Sequence, residues 1–131
     1  MVNLLRALTA LSGLALLLIG LGWWVHPVAA ADMLGASLLE GTGRSTQIGD
    51  SGAFFVGAGA LLAWGAIRES AAFTAMGGIL VGLVVPGRVL SATIHDGAWT
   101  PDEIVGECII VLLSLATALV LSRRTEPSLF R

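Results

Sequence analysis

Between Leu4 and Val25 the chain carries a single charged side chain, Arg6, at the very start of the run. About 20 consecutive apolar residues in a helix are enough to cross the hydrocarbon core of a bilayer. Comparable segments run from about Ser45 to Ile67, from Ala71 to about Ile94, and from Pro101 to Ser122. Inside lipid such a segment satisfies its own backbone hydrogen bonds as a helix. The expected fold is therefore all-α. It is a single integral membrane domain, an up-down-up-down four-helix bundle with helices at about 4–25, 45–67, 71–94 and 101–122.

Composition agrees with lipid as the solvent. Hydrophobic residues make up 56% of the 131 residues and charged residues 12%, against about 25% charged in an ordinary soluble domain. A soluble fold of this size needs more polar surface than that. Cys108 is the one cysteine, so no internal disulfide forms and no Cys/His zinc spacing exists. There is no basic patch for nucleic acid and no phosphate-cradling GxxxxGK[ST] loop, and no cofactor is expected.

Local signals mark the ends of the spans. His26-Pro27 closes the first. Pro101 fits a first helical turn, and Asp102 and Glu103 favour the positive end of the helix dipole. Arg123 and Arg124 close the last span. Arg6, an apolar stretch and Ala29-Ala30-Ala31 before Asp32 also fit a cleaved signal peptide, but the apolar run continues to Val25 and is long enough to span.

Arginine placement sets the expected orientation, because basic residues concentrate in cytoplasmic loops. Arg6, Arg68, Arg123, Arg124 and Arg131 fall at the N-terminus, the second turn and the C-terminus. An even number of spans puts these on one side, the cytoplasm. Seven of the nine acids (Asp32, Glu40, Asp50, Asp96, Asp102, Glu103 and Glu107) then lie on the other side. Both termini are expected to be cytoplasmic, in a bacterial inner membrane. Trp23, Trp24 and Trp99 are expected at the outer interface and Trp64 at the inner one. In the long first outer loop, Met33, Leu34, Leu38 and Leu39 approach helical spacing. A short amphipathic helix is expected there, with an irregular loop as the alternative.

Arg44 and Arg88 are not explained by orientation. A charge within a span costs about 2.5–3.5 kcal/mol on insertion scales unless paired or hydrated, so each calls for a partner. Arg88 lies seven residues before His95, and Glu107 six after Pro101. At 1.5 Å per residue both sit about 9–10 Å below the connecting turn. Glu107 is the expected partner of Arg88, with Asp50 the second candidate.

Helical spacing gathers the polar residues into stripes. Thr74, Val81, Arg88 and His95 recur every seven residues, with Ser91 and Ala92 on the same side. Glu103, Glu107, Ser114 and Thr117 form a second stripe; Arg44, Gln47 and Ser51 form a third, with Asp50 beside it. Facing one another, these would line a polar pocket in the outer half of the bundle. Gly49, Ala53 and Gly57, and Gly78 with Gly82, are the small residues expected to permit close helix packing. Pro86-Gly87 should kink the third span.

The His-Pro after the first span, Gly43-Arg44, Gly49-Asp50-Ser51-Gly52-Ala53-Phe54-Phe55, Gly87-Arg88, Asp96-Gly97 and Glu107 together resemble a bacterial group of small four-helix membrane proteins classified as a domain of unknown function. The resemblance covers nearly the whole chain. It implies the four-helix membrane architecture and no particular activity. Members of that group often show a second glycine where this chain has Asp50.

Three functional readings follow. The first is an accessory or structural membrane subunit, in which a buried Arg88–Glu107 pair fixes helix register; membrane lipid, a homo-oligomer or a larger membrane complex would be its partners. The second is an intramembrane pocket for a small lipophilic molecule, working as a binding site or as an isomerase, cyclase or epoxide-opening enzyme. There Glu107, Asp50 and His95 would move protons. Arg88 and Arg44 would hold an anionic or carbonyl group, and Gln47, Ser91, Asp96 and Glu103 would line the site. The third is transport of protons or small solutes through the same carboxylates and His95. No metal is expected from His95, Asp96, Glu103 and Glu107, since the Glu-x-x-His pairs of di-metal bundles are missing.

Overall fold

In a computed structural model, described for residues 1–125, the chain folds into α1 (Val2–Val25), α2 (Pro27–Met33), α3 (Gly41–Ile67), α4 (Ala71–Gly82), α5 (Val84–Ile94) and α6 (Pro101–Thr125). Arg131 lies outside the described residues. Four helical segments are long and apolar enough to cross a membrane: Val2–Val25, Gly41–Ile67, Ala71–Ile94 and Pro101–Arg124.

The closest packing joins α1 to α3, and glycine makes it possible. A Cβ placed on Gly59 would lie 2.5 Å from both Gly13 O and Leu17 N, and one on Gly20 2.5 Å from Val56 N. Gly52 lies under the indole of Trp24. These are backbone-to-backbone approaches of the kind small residues allow in membrane helices. The expected packing glycines, Gly49 and Gly57, have open space where a Cβ would be, and Ala53 is exposed. The seam uses the heptad-spaced pair Gly52 and Gly59 instead. Gly65 meets Thr74, Gly77 meets Leu62, and Gly78 meets the Ser114 hydroxyl, which ties α3 to α4 and α4 to α6. Each contact pairs rising with falling residue numbers, so successive long segments run antiparallel.

The core at this level is Leu16, Ala58, Leu62 and Val81, closed by Phe55, Leu80, Ile110 and Val111. Buried hydroxyls complete it. Thr117 donates to Leu113 O at 2.8 Å, which uses its one proton, so Thr9 donates to Thr117 Oγ1 across 2.9 Å. Arg6 closes the same end of the bundle: its guanidinium reaches Ala66 O at 3.0 Å and Ile67 O at 3.3 Å, and pairs with Glu69 at 2.9 Å. It caps carbonyls that the end of α3 leaves without helical donors.

The short helix of the first loop sits earlier than expected. Pro27 occupies its first turn, where a missing N–H costs nothing. It ends at Met33 because Gly35 takes a left-handed conformation at φ +63. Ala36 N–H then bonds Ala31 O and Gly35 N–H bonds Asp32 O, the paired closure of a Schellman end. Leu34 to Leu39 therefore does not form a helix. Leu34 and Leu38 pack down with Ala30 and Ala31 against Trp23. Trp23 is 2% exposed and belongs to this second core cluster, whereas Trp24, Trp64 and Trp99 are exposed.

The third long segment breaks at Leu83. Pro86 cannot donate to Gly82 O and its ring crowds that carbonyl, so α4 gives way to α5 one turn earlier. No residue of α5 is buried, and its substantial contacts are with α4 and α6.

Candidate functional site

The site is built on the α5–α6 hairpin. α5 ends at Ile94, where His95 N–H and Gly97 N–H both bond Ser91 O, and Asp96 turns the chain at φ +55. Asp is among the few non-glycine residues that accept that conformation readily. Thr100 and Pro101 then start α6, with Ile104 N–H bonding Thr100 O. This short turn brings Arg88 and Glu107 to the same level.

Arg88 Nε donates to Glu107 Oε1 at 2.7 Å. Arg88 Nη1 donates to Thr100 Oγ1 at 3.2 Å. The Arg88 side chain is 30% exposed and that of Glu107 14%. The pairing is one-armed: Glu107 Oε2 is buried and has no hydrogen-bond partner among the described residues. Arginine has five N–H donors, and the two just named are those with a protein acceptor among the described residues. A fork-to-fork pair would satisfy both carboxylate oxygens. Leaving one buried acceptor without a donor costs about 1–3 kcal/mol, more for a charged group.

The other sequence candidates are placed differently. Gln47 holds the loop before α3: its Oε1 accepts from Leu39 N–H at 2.9 Å and its Nε2 donates to Ser37 O at 3.2 Å. Arg44 Nε donates to Leu39 O at 2.8 Å. Both therefore serve the chain that α2 leaves behind. Asp50 and His95 are exposed, and among the described residues neither side chain has a hydrogen bond or ion pair. Ser91 supplies its carbonyl to the turn and lays its hydroxyl against Gly97. Asp96 forms the turn. Glu103 is half-buried on the first turn of α6.

Thr100 was not singled out from the sequence. A threonine directly before a Pro-Asp-Glu helix start occupies a capping position, and that placement could have flagged it. The clamp between Arg6 and Glu69 and the buried hydroxyl pair of Thr9 and Thr117 were also missed.

At the opposite end of the bundle an apolar groove of about 600 Å³ is lined by Leu17, Gly57, Trp64, Ile67 and Phe73 among others. It holds no titratable side chain. Arg68 packs over the Trp64 ring at 5.3 Å, a cation–π contact. Among the described residues no group of three or more His, Cys, Asp and Glu side chains lies close enough to hold a metal ion. Chemically, the hairpin offers a positive group held on two sides and open on the third. No family model matches the chain, no curated protein matches it, and no solved structure matches it.

Proposed function

We propose that this chain is a small polytopic membrane protein that works as an accessory or structural subunit, covered along α5 by another transmembrane helix. The observation that carries this reading is the state of α5. It is half of a membrane-length segment, yet none of its residues is buried. Its surface is also unlike a lipid-facing one. Pro86, Gly87, Ser91 and Thr93 are exposed beside Leu90 and Ile94, and small and hydroxylated residues are what membrane helix interfaces collect. Arg88–Glu107 would fix the register of α5 on α6 so that this surface is presented in one orientation.

Both termini lie in the cytoplasm in this reading, by the arginine distribution, and the hairpin of Arg88 and Glu107 faces the other side. The resemblance to small four-helix bacterial membrane proteins is part of the same proposal. The acid–base and transport readings have less support, since Asp50 and His95 stand exposed and apart from any partner among the described residues.

A photo-crosslinking residue at Leu90 tests the proposal in native membranes. The expected result is one stoichiometric adduct, either a second copy of this chain or one other membrane protein. A chain recovered alone and monomeric, with crosslinks only to lipid, overturns it.

A further inference from the structure

We propose that Arg88 is the anchor of a binding site for a zwitterionic phosphate–ammonium group, of the kind carried by an aminophospholipid headgroup, with the phosphate on Arg88 and the ammonium over Asp102 and Glu103. The inference starts from the imperfection of the ion pair. A pair serving only to join two helices gains most by closing both oxygens of the carboxylate. Here the guanidinium is turned so that Nη1 meets Thr100, and Glu107 Oε2 stays buried without a donor. The turn leaves Nη2 and one N–H of Nη1 without a protein acceptor among the described residues. Those donors form the planar edge that phosphate oxygens fit.

Access and charge point the same way. Arg88 is the more exposed partner, its side chain 30% exposed, and it lies about half a turn around α5 from Pro86 and Leu90 on the surface proposed for the partner helix, so a molecule can reach the guanidinium at the hairpin. Arg88 and Glu107 together are close to neutral. The stretch from His95 to Glu103 above them carries Asp96, Asp102 and Glu103, none in an ion pair among the described residues, and His95 as its one basic side chain. A simple anion would enter a region of net negative charge. A group that carries phosphate and ammonium together satisfies Arg88 and these carboxylates at once. The levels also match. Arg88 is seven residues, about 10 Å of helix, below the turn, so the phosphate sits deeper than the ammonium. Glu107 and Thr100 are positioning residues in this arrangement: they aim the guanidinium and do not touch the ligand.

The same headgroup could come from a phospholipid or from free phosphoethanolamine, and one experiment separates them. The full chain in detergent micelles is titrated with phosphatidylethanolamine, phosphatidylglycerol or diacylglycerol, and bound lipid is read by native mass spectrometry. Phosphatidylethanolamine should be retained at least tenfold better than diacylglycerol and at least threefold better than phosphatidylglycerol. Arg88→Gln should reduce it to the diacylglycerol level. Asp102→Asn with Glu103→Gln should erase the preference over phosphatidylglycerol while leaving phosphatidylglycerol retention in place. Thr100→Val, which keeps the Nε–Glu107 bond and releases Nη1 so that the guanidinium can turn Nη2 onto Glu107 Oε2, should weaken retention about threefold and serves if Arg88→Gln fails to fold. Displacement by equimolar soluble phosphoethanolamine assigns the site to the free solute; resistance to it assigns the site to lipid. Equal retention of the three lipids, or retention unchanged in both Arg88→Gln and Thr100→Val, overturns the proposal.

Discussion

Arg88 and Glu107 show how far a single charged residue constrains its surroundings. Removing one partner leaves the other uncompensated, which costs 3–5 kcal/mol at a fully buried site. With Arg88 30% exposed the expected loss for Arg88→Leu or Glu107→Leu is smaller, about 1–3 kcal/mol. Replacing both by leucine should recover most of it, to within about 1 kcal/mol of the parent, because neither charge is then stranded. Reversible unfolding in mixed micelles checks this; single variants no worse than the double would mean that the pair holds nothing. Thr9→Val is a milder case. Thr117 keeps its bond to Leu113 O, so the lost contact should cost about 0.6 kcal/mol, the average for hydrogen bonds between membrane helices. Charge was legible in the sequence at this scale: an arginine in a span needs a partner, and equal depth picked out Glu107. The role of Thr100 was not, because a side chain in a turn can aim in several directions.

At the scale of helices, glycines that look alike in sequence do different work. Gly59→Ala drives a methyl into Gly13 O and Leu17 N, both backbone atoms, and should destabilise by about 1–3 kcal/mol through overpacking. Gly57→Ala, two residues earlier, points into open space and should leave stability unchanged or slightly raised, since alanine is the better helix former. The same unfolding assay ranks them. Equal effects would contradict the packing of α1 on α3. The sequence could not separate these glycines, nor Trp23 from Trp24. A span that is apolar all round has no strong face, so its rotation about its own axis is set by which surfaces meet. Helix ends were easier to read. Pro27, Pro86 and Pro101 each act through a missing N–H and a fixed φ, effects that need no tertiary partner. Gly35 marks the limit of this: it ended the loop helix by its left-handed backbone, where the pattern of leucines had favoured continuing it.

For the whole molecule, arginine placement predicts which end faces the cytoplasm. Four antiparallel segments place Arg6 near Glu69 and Thr9 near Thr117, so the start of α1 and the last turns of α6 share one side of the bundle. The proposed orientation makes that side cytoplasmic. In a Cys108→Ser background, needed because Cys108 is exposed, a membrane-impermeant thiol reagent on intact cells should label Asp96→Cys and not Arg124→Cys. The opposite labelling reverses the orientation.

Apolar run length alone determined that this chain has four membrane-length helical segments, because backbone groups in lipid have no solvent to turn to and must bond within the segment. Turn residues determined where three of those segments begin or end. Tertiary structure alone decided which faces of the helices touch, that α5 makes its substantial contacts with α4 and α6, and that Arg88 grips its carboxylate by one arm. Those outcomes depend on how close two backbones can come and on the direction of a side chain in space, and residue spacing along one helix carries neither.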